Sequence, residues 1–92
     1  MRVVTISSSG VNPGEVQTGL GTRVMFVNND TIAHDIMGGP DPARPDCHEI
    51  DSVGFLSPGQ SRQTAPFERA RLCEYHDHSF HSTVFNGRIL IQ

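Results

Sequence analysis

Apolar and polar residues alternate along short stretches of this chain. The alternation has a period of two residues, which places one side of each stretch against a core and the other side in water. Val, Ile and Phe, which favour pleated strands, occupy many of the apolar positions. Half-buried strands are therefore predicted at Val3 to Ile6, Val16 to Thr18, Arg23 to Asn28, Ile32 to Ile36 and Arg88 to Gln92.

Turn-forming residues separate these stretches, which favours many short strands over helices. The turns are predicted at Asn12-Pro13-Gly14, Gly19-Leu20-Gly21, Asn29-Asp30 and Ser57-Pro58-Gly59. No stretch has the apolar spacing of an amphipathic helix over three turns, and at most one helical turn is expected, near Phe67 to Arg71. The pattern predicts an all-β sandwich or barrel formed by one domain over residues 1–92.

Composition and charge exclude several classes of protein. The formal net charge is −3, and the seven basic residues are scattered arginines without a lysine, so no basic surface for nucleic acid is expected. No apolar run approaches the roughly 20 residues that span a bilayer. Met1 leads directly into a predicted strand, so we expect no leader or anchor in this chain.

Two long irregular segments stand out between the predicted strands. One runs from Met37 to Ser57 and the other from Glu74 to Asn86. Connections of this length in a small domain are commonly functional. Both segments are therefore candidates for a site.

Metal-ligand residues concentrate in the second segment. His76, His78 and His81 follow closely on Cys73, and imidazole and thiolate are the donors that copper and zinc prefer. The spacing from Cys73 to His76 is Cys-x-x-His at an expected strand end, where a tight loop can turn both donors toward one point. His34 follows a different predicted strand, and a sandwich can bring it beside that loop. These residues predict a metal site.

The order of several motifs resembles a known family. They are the run from Gly21 to Asp30, His34-Asp35-Ile36, Ser57-Pro58-Gly59-Gln60-Ser61, Cys73 with His76, and Gly87-Arg88-Ile89-Leu90-Ile91. In this order they resemble a bacterial plastocyanin-like cupredoxin over nearly the whole chain. The resemblance implies a Greek-key β-sandwich that binds one copper ion through two histidines, one cysteine thiolate and a weak axial donor, and that transfers single electrons. By position, His34, Cys73 and His76 are the implied ligands.

The chain departs from that family at the axial ligand. Phe85 occupies the place of the family's methionine, and no methionine follows Met37. The axial donor is then absent, or it is His81, a backbone carbonyl or another group. His78 is the alternative to His76 as second imidazole, so the predicted metal set is His34, Cys73, His76 and His78. Asp77 is placed to accept a hydrogen bond from a ligand imidazole.

Cys47 decides between the functional hypotheses. It can be a buried apolar residue, a further ligand, or the disulfide partner of Cys73, and a disulfide would remove the thiolate. The main hypothesis is an electron carrier with a redox partner protein, outside the cytoplasm and monomeric. The alternatives are a copper-handling protein for transport, sensing or storage, and a binding module stabilised by zinc or a disulfide. Motifs of common hydrolases and phosphate-binding enzymes are absent, so no enzyme activity is expected.

Overall fold

The computed structural model describes residues 1–38, 47–80 and 82–92. Over these residues the secondary structure is almost entirely β. The only helical elements described are α1 (His48–Asp51) and a single 3₁₀ turn (Thr83–Phe85). The strands are β1 (Arg2–Ser7), β2 (Gly10–Asn12), β3 (Glu15–Thr18), β4 (Val24–Asn28), β5 (His34–Gly38), β6 (Gly54–Leu56), β7 (Ser61–Gln63), β8 (Arg71–Asp77) and β9 (Gly87–Ile91).

These strands form two sheets. The four-stranded sheet has the order β2-β1-β4-β7, and the five-stranded sheet has the order β3-β9-β8-β5-β6. The pairs β1 with β4 and β3 with β9 are parallel, and the other pairs are antiparallel. The predicted all-β sandwich is confirmed, and each of the five predicted strands corresponds to a strand of the structure.

Two local predictions are wrong. The helical turn expected near Phe67 to Arg71 does not form, because the backbone of Phe67 bonds to Gly21 and Thr22 instead and Arg71 already begins β8. The loop expected to begin at Glu74 begins later, because β8 continues to Asp77 through its pairing with β5 and β9. The longer β8 includes His76 and so determines which face of the sheet that histidine occupies.

The core lies between the two sheets. Phe26 of β4 and Tyr75 of β8 meet there edge to face, with ring centroids 5.0 Å apart. A side chain at Gly87 would overlap the Tyr75 hydroxyl, so glycine at this position lets the ring lie close to β9. Burial raises the pKa of Tyr75.

No helix among the described residues has the length and hydropathy needed to cross a membrane.

Candidate functional site

His34 lies at one end of the sandwich and is completely buried. It begins β5, and alternation along that strand directs His34 and Ile36 to the core. The preceding loop is shaped by the buried Asn28 amide, whose Nδ2 donates to the carbonyl oxygens of Ile32 and Leu56 at 2.9 and 3.0 Å. The Oδ1 of Asn28 accepts the N–H of Asp30 at 3.0 Å. This loop places Asp30 beside the ring of His34.

Both ring nitrogens of His34 face carboxylates. Nδ1 is hydrogen-bonded to Oδ2 of Asp77, and Nε2 lies 2.8 Å from Oδ2 of Asp30. Both ring nitrogens are therefore engaged by carboxylate oxygens. We call Asp30, His34 and Asp77 the buried triad.

The carboxylates of the triad also accept backbone hydrogen bonds. Asp77 Oδ1 accepts the N–H groups of Asp35 and Ser79 at 3.1 and 2.9 Å. Asp30 Oδ1 accepts the N–H of Thr31 at 2.7 Å. The hydrogen bonds from His34 and Thr31 hold the pKa of Asp30 below its usual value. The triad is therefore a satisfied polar network inside the sandwich.

Two phenylalanine rings complete the surroundings of His34. The ring of Phe85 lies 4.6 Å from that of His34 and the ring of Phe80 lies 5.5 Å away, measured between centroids. Both rings pack against the imidazole of His34. Neither ring offers a metal donor.

Cys73, the predicted thiolate ligand, is not a free thiolate in this structure, because its sulfur is bonded to Cys47. It forms a disulfide with Cys47, with the Cα atoms 5.8 Å apart, and both residues are buried. Asp77, four residues further along β8, is the residue that reaches His34. Four residues of strand span about 13 Å, which separates Cys73 from the ring of His34. Of the three interpretations of Cys47, the disulfide partner is the correct one.

His76 and His78 do not join His34 either. The buried positions of β8 are Cys73, Tyr75 and Asp77, so His76 lies on the opposite face of the sheet. His78 follows the strand with the same parity as His76, and the centroids of the two rings are 6.2 Å apart. The structure does not bring the predicted ligands together, because Cys-x-x-His on a continuous strand points its two donors to opposite faces. His81, proposed as an axial donor, lies outside the described residues.

The remaining histidine, His48, belongs to a cluster at the disulfide. Among the described residues, His48, Glu49 and Glu68 are the one group of three histidine, cysteine or acidic residues whose donor atoms all lie within 4.8 Å of one another. Burial by itself would raise the pKa of Glu49, but hydrogen bonds from Arg71 and from the N–H of Glu68 outweigh it, and the pKa is lowered. Both Glu49 oxygens are thus engaged, Oε1 by Arg71 at 2.5 Å and Oε2 by Glu68 at 3.1 Å. Glu49 thus joins α1 to Arg71 and to the backbone of Glu68, and its engaged oxygens make this cluster a poor cation site.

The residues around His34 do not fit a thiolate-bound copper. Such a centre needs two imidazoles and one thiolate, whereas His34 is surrounded by two carboxylates and two phenyl rings. Asp77 was expected to orient an imidazole, and it does bond to one. Asp30 was missed as a site residue, because only the folded loop brings its carboxylate to the ring nitrogen.

Solved structures similar to this chain are cupredoxins. A purple cupredoxin from Nitrosopumilus maritimus has a TM-score of 0.75 and 19% identity, with 100% of both chains covered. An oxidised plastocyanin from Dryopteris crassirhizoma has a TM-score of 0.76 and 15% identity, with 98% of this chain and 99% of that chain covered. A reduced amicyanin variant has a TM-score of 0.74 and 17% identity, with 99% and 81% covered. No protein-family model and no curated protein sequence matches the chain.

Proposed function

We propose that this chain, which has the cupredoxin fold, is a disulfide-stabilised binding module that works without a thiolate-bound copper. The proposal rests on the position of the Cys73 sulfur. It is bonded to Cys47, and Cys73 lies four residues along β8 from Asp77, the residue that reaches His34. At the position that faces His34, β8 carries Asp77 instead. An aspartate cannot supply the sulfur that gives a type 1 copper centre its character.

The surface above the buried triad supports binding of a partner protein. Ile32, Phe80 and Val84 are 45%, 37% and 48% exposed. Ile32 lies two residues before His34, Phe80 contacts the His34 ring, and Val84 adjoins Phe85, which also contacts it. Exposed apolar side chains grouped in this way are typical of protein interaction sites. The module would present this surface at the end of the sandwich where His34 lies.

The disulfide also supports a location outside the cytoplasm. Structural disulfides persist in oxidising compartments and are rare where thiols are kept reduced. Because the sulfur atoms of Cys47 and Cys73 are buried, the bond is protected from exchange with thiols in solution.

A copper-dependent electron carrier is the second candidate, and the fold likeness favours it. The similar structures include an oxidised plastocyanin and a reduced amicyanin variant, and the first is itself described as a cupredoxin. For this chain the carrier would require a reduced Cys73 and a rearranged end of β8.

Spectroscopy and a thiol count separate the two candidates. The tag-free protein is loaded with copper(II), its visible spectrum is recorded, and its free thiols are titrated after unfolding without reductant. The binding module predicts no free thiol and no intense visible absorption from a copper–thiolate bond. Two free thiols together with a strong visible band that disappears in Cys73→Ser would replace the binding module by the electron carrier.

A further inference from the structure

The outer face of the five-stranded sheet carries His76 and His78 side by side. Glu74, His76 and His78 share one parity along β8 and its continuation, and none of the three is buried. The two imidazoles therefore lie on one face, two positions apart in the sequence, which is a spacing of about 6.6 Å along the strand. The buried triad lies on the other face of the sheet.

Two further donor residues lie opposite these histidines on β5. Met37 is the direct antiparallel partner of His76. Asp35 accepts the N–H of His78 at its carbonyl oxygen, at 2.8 Å, and the register places it opposite His78 because Ile36 pairs with Asp77. Side chains of directly opposed residues have Cβ atoms about 4.5 to 5.5 Å apart. Asp35, Met37, His76 and His78 thus form a square of two cross-strand pairs, which we call the outer-face square.

The backbone beneath the square is held from several sides. The N–H of Asp35 donates to Asp77 Oδ1, and the N–H of Ser79 donates to the same oxygen. Strand β8 is paired on both edges, with β5 and with β9. Only the side chains would have to move for the four donors to converge, which keeps the cost of forming a site small.

Among the described residues, no hydrogen bond engages Nδ1 of His76, which is a buried atom. The centroids of the His76 and His78 rings are 6.2 Å apart, and each ring nitrogen would need to come within about 2.0 to 2.1 Å of a shared ion. The donor atoms of Asp35, His76 and His78 do not all lie within 4.8 Å of one another in the structure, so binding requires rotation about their side-chain bonds. An open cleft of about 320 Å³, lined by Glu74, His76, Asn86 and Arg88 among others, lies on the β9 side of His76, and Asp35, Met37 and His78 are not among its lining residues.

We propose that the outer-face square binds one copper(II) ion, with His76 and His78 as the principal ligands and the Asp35 carboxylate as the third. Among divalent first-row metals, nitrogen and oxygen donor sets bind copper(II) most tightly, and two imidazoles with a carboxylate are such a set. The thioether of Met37, the cross-strand partner of His76, adds a soft donor beside this set. The site differs from the predicted one in location, in its third donor and in using no thiolate.

The experiment measures copper(II) binding to the tag-free, oxidised protein by calorimetry, with electron spin resonance of the complex. The wild-type chain is expected to bind one ion with a nitrogen-ligated spectrum that lacks copper–thiolate character. Loss of a residue that merely orients a metal ligand lowers affinity about 10- to 100-fold. We therefore expect the His76→Ala/His78→Ala double variant to lose at least about 100-fold, and Asp35→Asn to lose less.

His48→Ala is the matched control, because His48 is 60% exposed at its side chain and lies at the disulfide cluster. Its affinity for copper(II) is expected to stay within about twofold of the wild type, well under one tenfold step. The exposed His78→Ala serves as a single variant that keeps the fold, which circular dichroism verifies. The proposal is overturned if the wild type binds no copper(II), if the double variant binds as tightly as the wild type, or if His48→Ala removes the binding.

Copper(II) binding at the outer-face square is tested separately from the proposed function. A copper–thiolate band that depends on Cys73 would reject the binding module, whatever happens at His76 and His78. Loss of copper binding only in the outer-face variants, with no thiol titrated, supports both proposals.

Discussion

The chemistry of His34 is determined by the oxygen atoms around it. Its ring is fully buried, and each nitrogen is paired with a carboxylate. A buried charge is tolerated only when it is paired and hydrogen-bonded, and here the partners are supplied from both sides of the ring. The same arrangement occupies both nitrogens, so neither has a free lone pair for a metal ion. At the residue scale, His34 is a structural group that closes the end of the sandwich.

Replacing His34 tests this structural role. His34→Ala leaves the Asp77 carboxylate buried without its partner, and breaking a buried pair in this way costs about 3 to 5 kcal/mol. We expect the free energy of unfolding in urea to fall by about that amount. The exposed His48→Ala is the control, with an expected change below about 0.5 kcal/mol. A change at His34 as small as that of the control would contradict the role assigned to the triad.

At the scale of elements, the length of β8 decides the site. The strand runs from Arg71 to Asp77 without interruption, so its side chains alternate between the core and the outer face. Cys73 and Asp77 point into the core at positions four residues apart along β8, and His76 points to the outer face. The disulfide at Cys73 joins β8 to the residue before α1, and the ion pair between Arg71 and Glu49 joins the same two elements. One strand therefore serves the disulfide, the buried triad and the outer-face square.

Reduction of the disulfide tests how much it contributes to stability. The bond connects residues 26 positions apart, and the chain-entropy model gives about 3.5 kcal/mol for a loop of this size. We expect the Cys47→Ser/Cys73→Ser variant to unfold at a lower urea concentration than the oxidised wild type. A thiol reductant present in the urea solutions, where unfolding exposes the two sulfurs, should shift the wild type in the same direction and leave the variant unchanged. Identical unfolding midpoints with and without reductant would mean that the bond is absent in solution.

At the scale of the whole molecule, two acidic groups at different places in the structure link stability to pH. Asp30 is stabilised as an anion by His34 and Thr31, and Glu49 by Arg71 and the N–H of Glu68, and both pKa values are lowered. A lowered folded pKa means that the native state holds the anion more strongly than the unfolded chain does. The stabilisation is complete above the ordinary values of 3.8 and 4.5, and it is lost as the pH falls through the lowered values.

Thermal unfolding between pH 6 and pH 2 measures this linkage. We expect the melting temperature of the wild type to be nearly constant down to about pH 5 and to fall progressively below that. Asp30→Asn and Glu49→Gln should each show a smaller fall between the two ends of this range. Glu68→Gln, whose side chain is 72% exposed, should follow the wild-type profile. Variant and wild-type profiles that stay parallel would show that these carboxylates do not govern the acid transition.

Local patterns were sufficient to predict the architecture. The alternation in Val3 to Ile6 and in Arg88 to Gln92 reports burial on one side of a strand, and burial on one side requires a second layer. The order of the motifs also led to the cupredoxin fold, which the similar structures confirm. Four strands were not predicted: only a strand end near Cys73 was expected for β8, and β2, β6 and β7 were missed because three residues each carry too little alternation to recognise.

The donor set could not be predicted in the same way, because it depends on where β8 ends and on which face each residue occupies. The sequence contains cysteine and histidine at a metal-ligand spacing. Spacing measures distance along the chain, but it does not determine which face of the sheet each side chain occupies. Pairing with β5 and β9 extends the strand past Cys73, which sends its sulfur to Cys47 and gives Asp77 to His34. The sequence by itself determined a two-layer β-sandwich, since burial is encoded residue by residue. Only the tertiary structure decided which atoms meet, since that follows from strand register and from loops such as the one that carries Asp30.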